Sequence, residues 1–388
     1  MKIVLFEDEK FTNFYPITRL HSLTEIRTGK YTQKEKVFFQ FNIRPLIFSP
    51  RKSYRDEFKV DDDTLFLNAR LKDFRFFKEL EKGVCIINKE GEILGYRGEK
   101  FISKKKDFKG YKVIEKELPT FNFIWDIIRD LTESLYSDFK DSARFLGKLE
   151  SPIGKFVFLR NRRNIYVGKD VKLREGVVLD AEEGPIWIEE KTELESYTFV
   201  KGPSYIGRKT KTKPGTILDK VAVGDVVKLG GEIEESIFQG YSNKQHSGFL
   251  GHSFIGEWVN LGAGTTNSDL KNNYGEVTVI LKEKKYQTGM QFLGVMIGDH
   301  SKTAINTSFN TGTIIEPFCN IFGRTFPPKY LPPFSWWSGE IEEYKLDKAI
   351  ETASKVMNRR NIKLDEKYRK RIKELFLETR KERKTKKY

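Results

Sequence analysis

The chain has few of the residues that build disulfide-linked, metal-binding or membrane-spanning proteins. Its 388 residues include 2 cysteines and 4 histidines. Two isolated thiols, Cys85 and Cys319, form neither a disulfide framework nor a metal cluster, so we predict that both are packing residues. No run approaches the roughly 18 apolar residues that a membrane span needs, and no basic segment followed by an apolar core opens the chain. We therefore predict a cytoplasmic protein with no membrane span and no metal site.

Acidic residues are outnumbered by basic ones, 55 Asp or Glu against 70 Lys or Arg, which gives a formal net charge of +15. Much of this excess is local, because residues 359–388 contain 14 Lys or Arg against 5 Asp or Glu. Aromatic residues do not alternate with these cations in a stacking pattern, so the charge does not favour nucleic-acid binding. We interpret the segment as a solvated helical tail.

Apolar side chains recur at every sixth position in several segments. A helix repeats its buried face every 3.6 residues and a strand every 2 residues, so a sixfold recurrence requires a chain that turns a corner after each short strand. The pattern predicts a hexapeptide β-helix. Glycine often follows the apolar position, as in Val223-Gly224 and Ile297-Gly298, and we interpret it as the source of positive φ at tight corners. The positions are Ile165, Val171, Val177; Ile188, Leu194, Val200, Ile206; Val223, Leu229; Phe249, Ile255, Leu261; and Ile297, Thr303, Phe309, Ile315, Ile321.

The remaining segments predict an α/β domain before the repeats and helices after them. The proline-rich segment 325–337 is expected to leave the solenoid and cover its open end, because proline supplies no ladder donor. Two amphipathic helices follow, the second capped by Asp365. Expected elements in the first half are a strand at 2–6, a helix at 18–28, strands near 37–43, 64–67 and 84–87, and a helix within 120–139. The predicted domains are 1–120 (α/β), 121–155 (linker helix), 156–325 (β-helix) and 326–388 (Pro/aromatic cap and basic helical tail).

One stretch of the repeat region resembles a known family. The motifs H-x-x-x-L-G from His246, V-N-L-G-A-G-T from Val259 and N-Y-G from Asn273 follow one another in that order. They resemble the acetyltransferase site of GlmU-type enzymes, which are bifunctional sugar-1-phosphate uridylyltransferases and amino-sugar acetyltransferases. With its short N-terminal half, the whole chain resembles the GlmU-like sugar nucleotidyltransferases. The resemblance implies a left-handed parallel β-helix and, before it, a small Rossmann-like nucleotidyltransferase remnant.

The resemblance also implies roles for individual residues. His246 would act as general base, removing a proton from an amine or hydroxyl that attacks the thioester of acetyl-CoA. Histidine suits this task because its unperturbed pKa lies near neutrality. The glycine-rich corner would supply backbone N–H donors to the oxyanion, and the active form would be a homotrimer with sites between neighbouring β-helices. The implied binding residues are Asn260, Asn273 and Tyr274 for a sugar or sugar-nucleotide substrate, and Gly262, Ala263 and Gly264 for acetyl-CoA.

Three positions depart from the acetyltransferase pattern. Phe249 takes the place of a sugar-contacting tyrosine, and Ile305 takes the place of a coenzyme-binding serine. Glu234 stands where a basic residue would hold a sugar phosphate. Because a carboxylate repels a phosphate, the natural acceptor need not be glucosamine 1-phosphate.

Two further histidines share the repeat phase of His246. A residue six positions away lies on an adjacent face of a coil, so one chain could not gather His246, His252 and His300 around one ion. We interpret His252 and His300 as polar surface residues.

The N-terminal half lacks the phosphate-binding features of nucleotidyltransferases, which hold the triphosphate with a glycine-rich loop and bind Mg²⁺ with an aspartate. The loop after the first strand is acidic and glycine-free, although Glu7 and Asp8 could bind a metal differently. Arg70 takes the place of the metal-binding aspartate. We interpret the domain as degenerate. Candidate anion contacts in it, unless they are ordinary surface cations, are Arg19, Arg27, Lys30 and Arg70.

The sequence leaves three functions open. The first is an acetyl-CoA-dependent acyltransferase acting on a sugar or sugar nucleotide. The second is a sugar-1-phosphate nucleotidyltransferase, which alone would require Mg²⁺. The third is a non-catalytic scaffold that binds a sugar nucleotide.

Overall fold

A computed structural model describes residues 2–57, 63–323 and 325–384. The chain divides into two compact units. The first comprises Met1–Phe14, His21–Ile26 and Tyr31–Asp126, and the second comprises Tyr15–Leu20, Arg27–Lys30 and Ile127–Tyr388. Within the described residues, no helix has both the length and the apolar composition needed to cross a membrane.

The first unit is built on a mixed six-stranded sheet in the order β2-β1-β3-β5-β4-β6. β1 is parallel to β2 and β3, whereas β5 is antiparallel to both β3 and β4. The ring of Phe66 stacks on that of Tyr96 at 4.6 Å between centroids in the buried core. The strands are β1 (Lys2–Phe6), β2 (Leu46–Phe48), β3 (Thr64–Asn68), β4 (Val84–Ile87), β5 (Ile93–Gly98) and β6 (Lys112–Glu115).

Two elements of the first half differ from expectation. The strand expected near 37–43 is a helix, α1 (Gln33–Phe41). A capping box starts it, because the Thr32 hydroxyl accepts from the Glu35 N–H while the Glu35 carboxylate accepts from the Thr32 N–H. The helix expected at 18–28 forms only short 3₁₀ turns. The 3₁₀ helices are Glu9–Phe14, Ile17–Arg19, Leu23–Glu25, Lys52–Tyr54, Arg75–Glu79, Lys105–Asp107, Ala143–Phe145 and Arg162–Asn164.

The boundary between the units after Asp126 lies within α2 (Ile124–Arg129). The second unit continues with α3 (Leu131–Asp141) and a parallel β-helix with three faces. Face A consists of Ile165–Val167, Ile186–Ile188, Ser204–Ile206, Ala222–Val223, Ile237–Phe238, Phe254–Ile255, Met296–Ile297, Ile314–Ile315 and Tyr330–Leu331. Face B consists of Lys172–Leu173, Glu193–Leu194, Lys211–Thr212, Lys228–Leu229, Asn243–Lys244, Lys302–Thr303, Asn320–Ile321 and Ser335–Trp337. Face C consists of Phe158–Arg160, Val178–Asp180, Phe199–Lys201, Ile217–Asp219, Glu232–Glu234, Phe249–Gly251, Thr266–Asn267 and Ser308–Phe309.

An insertion interrupts the coils after Thr266–Asn267. It contains an antiparallel hairpin of Thr278–Leu281 and Lys284–Gln287, and the next coil resumes at Met296–Ile297. Single-residue bridges on either side of Asn260, to Asn243 and to Lys302, keep face B continuous across the interruption.

The interior of the β-helix follows the expected sixfold register from Ile188 to Ile206 and from Ile297 to Ile321. In the first coil, Val167, Leu173 and Leu179 pair with Ile188, Leu194 and Val200, so the register expected from Ile165, Val171 and Val177 is wrong there by two residues. On face C the inward residue is Leu250, whereas Phe249 is only partly buried, so the expected register is wrong there by one residue. The middle coils have shorter steps than six. Inward residues that the strict pattern misses in and around the middle coils include Thr212, Leu218, Ile233, Phe238, Lys244 and Leu250.

The corner glycines act through close approach rather than through positive φ, contrary to our interpretation from sequence. At Gly224 an added Cβ would overlap the carbonyl group of Gln239 in the next coil, and φ is not positive. Positive φ occurs instead two residues later along the corner between faces A and B (the A–B corner). The residues that adopt it are Asp170, Lys191, Lys209, Val226, Tyr241, Trp258, His300, Phe318 and Phe334.

Buried hydroxyl groups satisfy backbone donors inside the A–B corner. Ser242 Oγ donates to the Gly256 carbonyl and accepts from the Val259 N–H at 2.9 Å. Ser301 repeats the arrangement, accepting from the N–H of Cys319, which is itself buried. These contacts join successive coils where the strand ladder is interrupted, so the corner polar groups do not remain unpaired.

The solenoid continues for one coil more than expected. Tyr330–Leu331 pairs with Ile314–Ile315 on face A, and Ser335–Trp337 pairs with Asn320–Ile321 on face B. The prolines are tolerated because they lie between these strands, where no ladder donor is needed. A last strand, Ile341–Glu343, then pairs antiparallel to Ser335–Trp337.

Three C-terminal helices pack on the A–B corner. Rings of the corner residues stack in a column, with centroids 4.7 Å apart for His300 and Phe318 and 4.8 Å apart for Phe318 and Phe334. Ile350 and Ile372 belong to the same buried apolar cluster as Phe318 and Phe334. The helices are α4 (Leu346–Asn358), α5 (Glu366–Glu378) and α6 (Arg380–Lys384).

The predicted Asp365 cap is confirmed, because its carboxylate accepts from the Tyr368 N–H at 2.7 Å. The predicted fold class is confirmed as well: an α/β region is followed by a parallel β-helix and C-terminal helices.

Candidate active site

His246 lies on an exposed turn between faces B and C (the B–C corner). It follows Asn243–Lys244 and precedes Phe249–Gly251. Gly248 permits this turn, because its φ is +124° and a Cβ there would overlap the Thr265 carbonyl of the next coil. The turn thus presents the imidazole at the outer edge of the solenoid.

The preceding coil is shortened beside His246. Its B–C corner contains only Gly230 and Gly231 between two strands, whereas the corner of His246 contains Gln245–Gly248. Gly231 has a φ of +77°, and its Cβ position lies 2.7 Å from the Gly248 carbonyl oxygen. A Cβ at Gly230 or Gly231 would overlap the backbone of the next coil, so the shortened corner packs directly against the turn that carries His246.

A buried lysine connects these two corners. Lys244 points into the β-helix, where other coils place an apolar residue such as Leu229. Its ammonium donates to the carbonyls of Gly230 at 3.0 Å and His246 at 2.6 Å. Burial lowers the pKa of Lys244 to about 8. The sixfold pattern gave no signal for this residue, because it singled out only apolar positions.

The glycine-rich corner lies directly above the turn of His246. The N–H of Gly264 donates to the Ser247 carbonyl at 3.2 Å, and the N–H of Gly262 donates to Thr303 Oγ1 at 2.9 Å. The carbonyl of Ala263 accepts from the Asn306 N–H. The amides of Gly262 and Gly264, expected to be free for an oxyanion, are thus already engaged.

Asn260 lies on face B between Asn243 and Lys302. Its side-chain oxygen accepts from Asn243 Nδ2 at 3.2 Å. Both asparagines line a cavity of about 210 Å³, which is formed by Tyr241, Asn243, Trp258, Val259, Asn260, Lys302, Val356, Arg359 and Arg360. Asn243, which lines the cavity, is three residues before His246 in sequence. The strand Asn243–Lys244 therefore connects the cavity to the turn of His246.

Asn273 and Tyr274 are exposed on the insertion. The Asn273 carboxamide accepts from the Gly275 N–H at 3.1 Å, and the Tyr274 carbonyl accepts from the Gln291 side chain. Neither residue is among those that line the cavity beside Asn260. Of the predicted substrate-binding residues, this cavity therefore contains Asn260 but not Asn273 or Tyr274.

His300 is internal, contrary to our interpretation of it as a surface residue, whereas His252 is partly buried. His300 is 1% exposed and takes part in the ring column of the A–B corner. His252 contacts two carboxylates, with Nδ1 2.9 Å from Asp269 and Nε2 3.4 Å from Glu235. Burial alone would lower the pKa of His252, but these hydrogen bonds and charges raise it to about 9. Among the described residues, no group of three or more His, Cys, Asp or Glu could hold a metal ion.

In the first unit, arginine side chains form ion pairs with the carboxylates that could have bound a metal. Arg70 is fully buried and donates to Asp8 and Glu92, each at 2.8 Å. Burial would raise the pKa of Glu92, but Lys10 and Arg70 lower it to about 2. Arg51 pairs with the buried Glu7 at 3.0 Å. These acids are therefore neutralised by the protein itself.

The other three candidate anion contacts belong to the second unit. Arg19 pairs with Glu316 and Glu382, each at 3.0 Å, and burial raises the pKa of Glu316 to about 6 against the opposing effect of Arg19. The guanidinium of Arg27 donates to the Lys30 carbonyl. The Lys30 ammonium donates to Ser142 and lies 3.1 Å from the Trp187 ring centroid. All three are buried residues with internal partners.

Comparisons with known proteins identify one matching family and several relatives. Residues 3–144 match the family described as sugar nucleotidyl transferase. The predicted GlmU-like resemblance is confirmed. A bifunctional sugar-1-phosphate nucleotidylyltransferase/acetyltransferase of Sulfurisphaera tokodaii is 34% identical over 146 residues, or 36% of this chain and 35% of that protein. The bifunctional protein GlmU of Methanococcus aeolicus is 33% identical over 160 residues, or 39% of this chain and 37% of that protein. The matched part thus spans little more than a third of these relatives.

A solved structure was also similar. The UDP-N-acetylglucosamine acyltransferase of Francisella novicida has 14% sequence identity and a TM-score of 0.34, and the similarity covers 57% of this chain and 75% of that chain.

We predict that His252 stabilises the β-helix in a pH-dependent way. Its folded pKa of about 9 lies above its ordinary value of 6.5, so its contribution is complete below pH 6.5 and is lost as the pH rises through 9. His252→Gln should lower the free energy of unfolding by up to about 3 kcal/mol at pH 6 and by much less at pH 10. Urea unfolding followed by circular dichroism at both pH values measures this difference. His246→Gln, which removes an exposed imidazole, is the control, and a cost of His252→Gln that does not change with pH would contradict the prediction.

Proposed function

We propose that this protein is an acetyl-CoA-dependent acyltransferase that acts on a sugar or sugar nucleotide, with His246 as the general base. The observation that carries the proposal is the exposed imidazole on the B–C corner, beside the shortened corner of the preceding coil. The motif around it matches the family resemblance described above. The named activity of the matched relatives, which includes acetyl transfer, supports the same reaction class.

The proposed reaction needs one base, which takes a proton from the acceptor and later returns it to the leaving group. His246 would take a proton from the acceptor amine or hydroxyl as that group attacks the carbonyl carbon of the thioester. The tetrahedral intermediate would then collapse with cleavage of the C–S bond. The imidazolium would return the proton to the departing thiolate, which leaves as coenzyme A, so no redox partner or metal ion is required.

Lys244 is a positioning residue in this scheme. Its ammonium donates to the His246 carbonyl and so fixes the turn rather than contacting a reactant. Ala263 and its flanking glycines lie on the next coil, where we propose that they contact acetyl-CoA. Asn260 is proposed to contact the acceptor from face B, and Asn273 and Tyr274 to do so from the insertion.

A homotrimer is also proposed, and face C supports it. One outward row on this face is apolar and contains Phe158, Val178, Phe199 and Ile217 in register. Phe158 is 57% exposed and Ile217 is 41% exposed. Exposed apolar rows of this kind mark protein interfaces. A second copy of the chain would bury this row and bring its own surface to the edge that carries His246.

Nucleotidyl transfer is a second candidate, because residues 3–144 match the sugar nucleotidyl transferase family. The geometry of the first unit argues against it. The loop after β1 is a glycine-free 3₁₀ helix, Glu9–Phe14, and Asp8 is paired with Arg70. We propose that this domain binds a sugar or nucleotide without catalysing its transfer.

His246→Ala should reduce acyl transfer from acetyl-CoA to sugar or sugar-nucleotide acceptors by a factor of at least 100, because general-base catalysis contributes about 10²- to 10⁴-fold. Release of the free thiol measures the reaction, and added imidazole should restore part of it. Gln245→Ala, on the same turn, is the matched control and should retain activity. Retention of full activity by His246→Ala would reject the assignment.

Ile217→Glu should convert the trimer to monomers, because it places a charge in the apolar row of face C. Light scattering after size-exclusion chromatography measures the mass. Lys213→Glu, on an exposed corner of the same coil, serves as the control and should remain trimeric. A monomeric wild-type protein would contradict the proposed assembly.

Incubation of the protein with Mg²⁺, a nucleoside triphosphate and a sugar 1-phosphate should release no pyrophosphate above the enzyme-free blank. The reason is that Arg70 and Lys10 neutralise the carboxylates a metal would need. A coupled pyrophosphate assay on a preparation active in acyl transfer makes this measurement. Pyrophosphate release that requires both Mg²⁺ and the sugar phosphate would instead establish the second function.

A further inference from the structure

The cavity on face B combines cations, amides and aromatic rings. Its floor is formed by Asn243, Asn260 and Lys302, which are neighbours across the strand ladder. One wall contains Tyr241 and Trp258, whose rings stack at 4.4 Å between centroids. The opposite wall is formed by residues at the end of α4, namely Val356, Arg359 and Arg360.

The positive charge of this cavity is not balanced by its own lining. Lys302, Arg359 and Arg360 line it, and none of the described lining residues is acidic. Lys228 extends the positive surface, because it lies beside Asn243 in the ladder of face B. Arg19 and Arg70, the cations expected to bind anions, instead have carboxylate partners at 3.0 Å or less.

The pKa shifts of the basic residues in and beside the cavity agree with an unbalanced positive charge. Burial, and then the charge of Arg359, lowers the pKa of Arg360. Burial lowers the pKa of Lys302 to about 8. The pKa of Lys228 is lowered by burial and by Arg360. A cation with a carboxylate partner shifts in the opposite direction, as Arg70 does.

The donors of these side chains are only partly used. Arg360 Nη2 donates to Asn243 Oδ1 at 3.0 Å, while Arg360 Nε is buried without a hydrogen-bond partner among the described atoms. Lys302 Nζ donates to the His300 carbonyl at 2.8 Å and has further donor capacity. Arg359 is exposed at the cavity edge. An anion with several acceptor oxygens would satisfy these groups together.

We propose that this cavity binds a phosphate or pyrophosphate group of a substrate of the acyltransferase, an inference that rests on the proposed function. Phosphate is the anion that guanidinium and ammonium groups recognise best in such a setting. The cations come from Lys302 and the end of α4, which explains how a phosphate could be held although Glu234 occupies the position of the expected basic residue. Tyr241 and Trp258 would pack against the part of the ligand attached to the phosphate.

The test is calorimetric titration of the full chain with coenzyme A, UDP-glucose, glucose 1-phosphate and inorganic pyrophosphate. Arg359→Glu should weaken binding of at least one of the first three ligands by at least tenfold. Lys302→Met, which keeps the side-chain length, should weaken the same ligand by at least threefold, and Lys302→Arg should retain binding. Arg380→Glu reverses an exposed charge outside the cavity, so it is the matched control and should change affinity by less than twofold.

The ligand that responds identifies the source of the phosphate. Selective loss of coenzyme A binding assigns the cavity to the acyl donor, and selective loss of UDP-glucose or glucose 1-phosphate binding assigns it to the acceptor. Equal affinity of wild type, Arg359→Glu and Lys302→Met for every ligand would overturn the proposal, as would the absence of binding to wild type. His246→Ala should bind like wild type. Failure of the transferase assignment, seen as unchanged turnover in that variant, is thus distinguishable from failure of the phosphate site.

Discussion

The in-register hydrogen bonding of successive coils is the constraint on which the rest of the second unit depends. Parallel strands lie about 4.8 Å apart, so each residue meets its equivalent in the next coil at that distance. The spacing admits only glycine where two backbones converge, as at Gly224 and Gln239. It also lets one hydroxyl, such as that of Ser242, serve two coils at once. The turn of His246 inherits this rigidity, because Gly264 and Lys244 attach it to the coils on either side.

Charge balance separates structural cations from candidate ligand-binding ones. A buried ion that lacks a partner is costly, so internal cations are expected to come with carboxylates or carbonyls. Arg70 and Arg19 have carboxylates, and Lys244 has two carbonyls. The cations at the end of α4 have no carboxylate partner in the cavity lining. Residue type alone therefore does not distinguish structural cations from candidate ligand-binding ones. The positions of nearby carboxylates do.

Much of the fold was predictable because the repeat is local. Ile188, Leu194, Val200 and Ile206 show the sixfold spacing directly, and each is buried. The inward residues of the middle coils were harder to predict, because the steps between several of them are shorter than six residues and one of them is Lys244. Local signals can also be outweighed: the apolar residues after Val37 suggested a strand, whereas the capping box of Thr32 and Glu35 starts a helix.

The candidate site was predictable only in part. His246 and Asn260 could be found because they belong to a compact motif on consecutive coils. Arg359 and Arg360 lie about 100 residues later in sequence, where they formed part of an undifferentiated basic tail. Their approach to face B depends on how α4 packs against the ring column of the A–B corner, and no short sequence pattern encodes that packing. The hydrogen bonds of the Gly262 and Gly264 amides could not be predicted for a similar reason, since their partners are supplied by other coils.

The coil that precedes His246 differs from its neighbours in the length of its B–C corner. Two residues fewer at Gly230-Gly231 leave the strand ladder intact while shortening the backbone next to the imidazole. The surroundings of such a turn are therefore encoded partly in the length of a neighbouring corner, and an alignment that scores only residue identity would overlook it. A relative that keeps every motif residue but has a full-length corner at that point would carry the same imidazole with more backbone beside it.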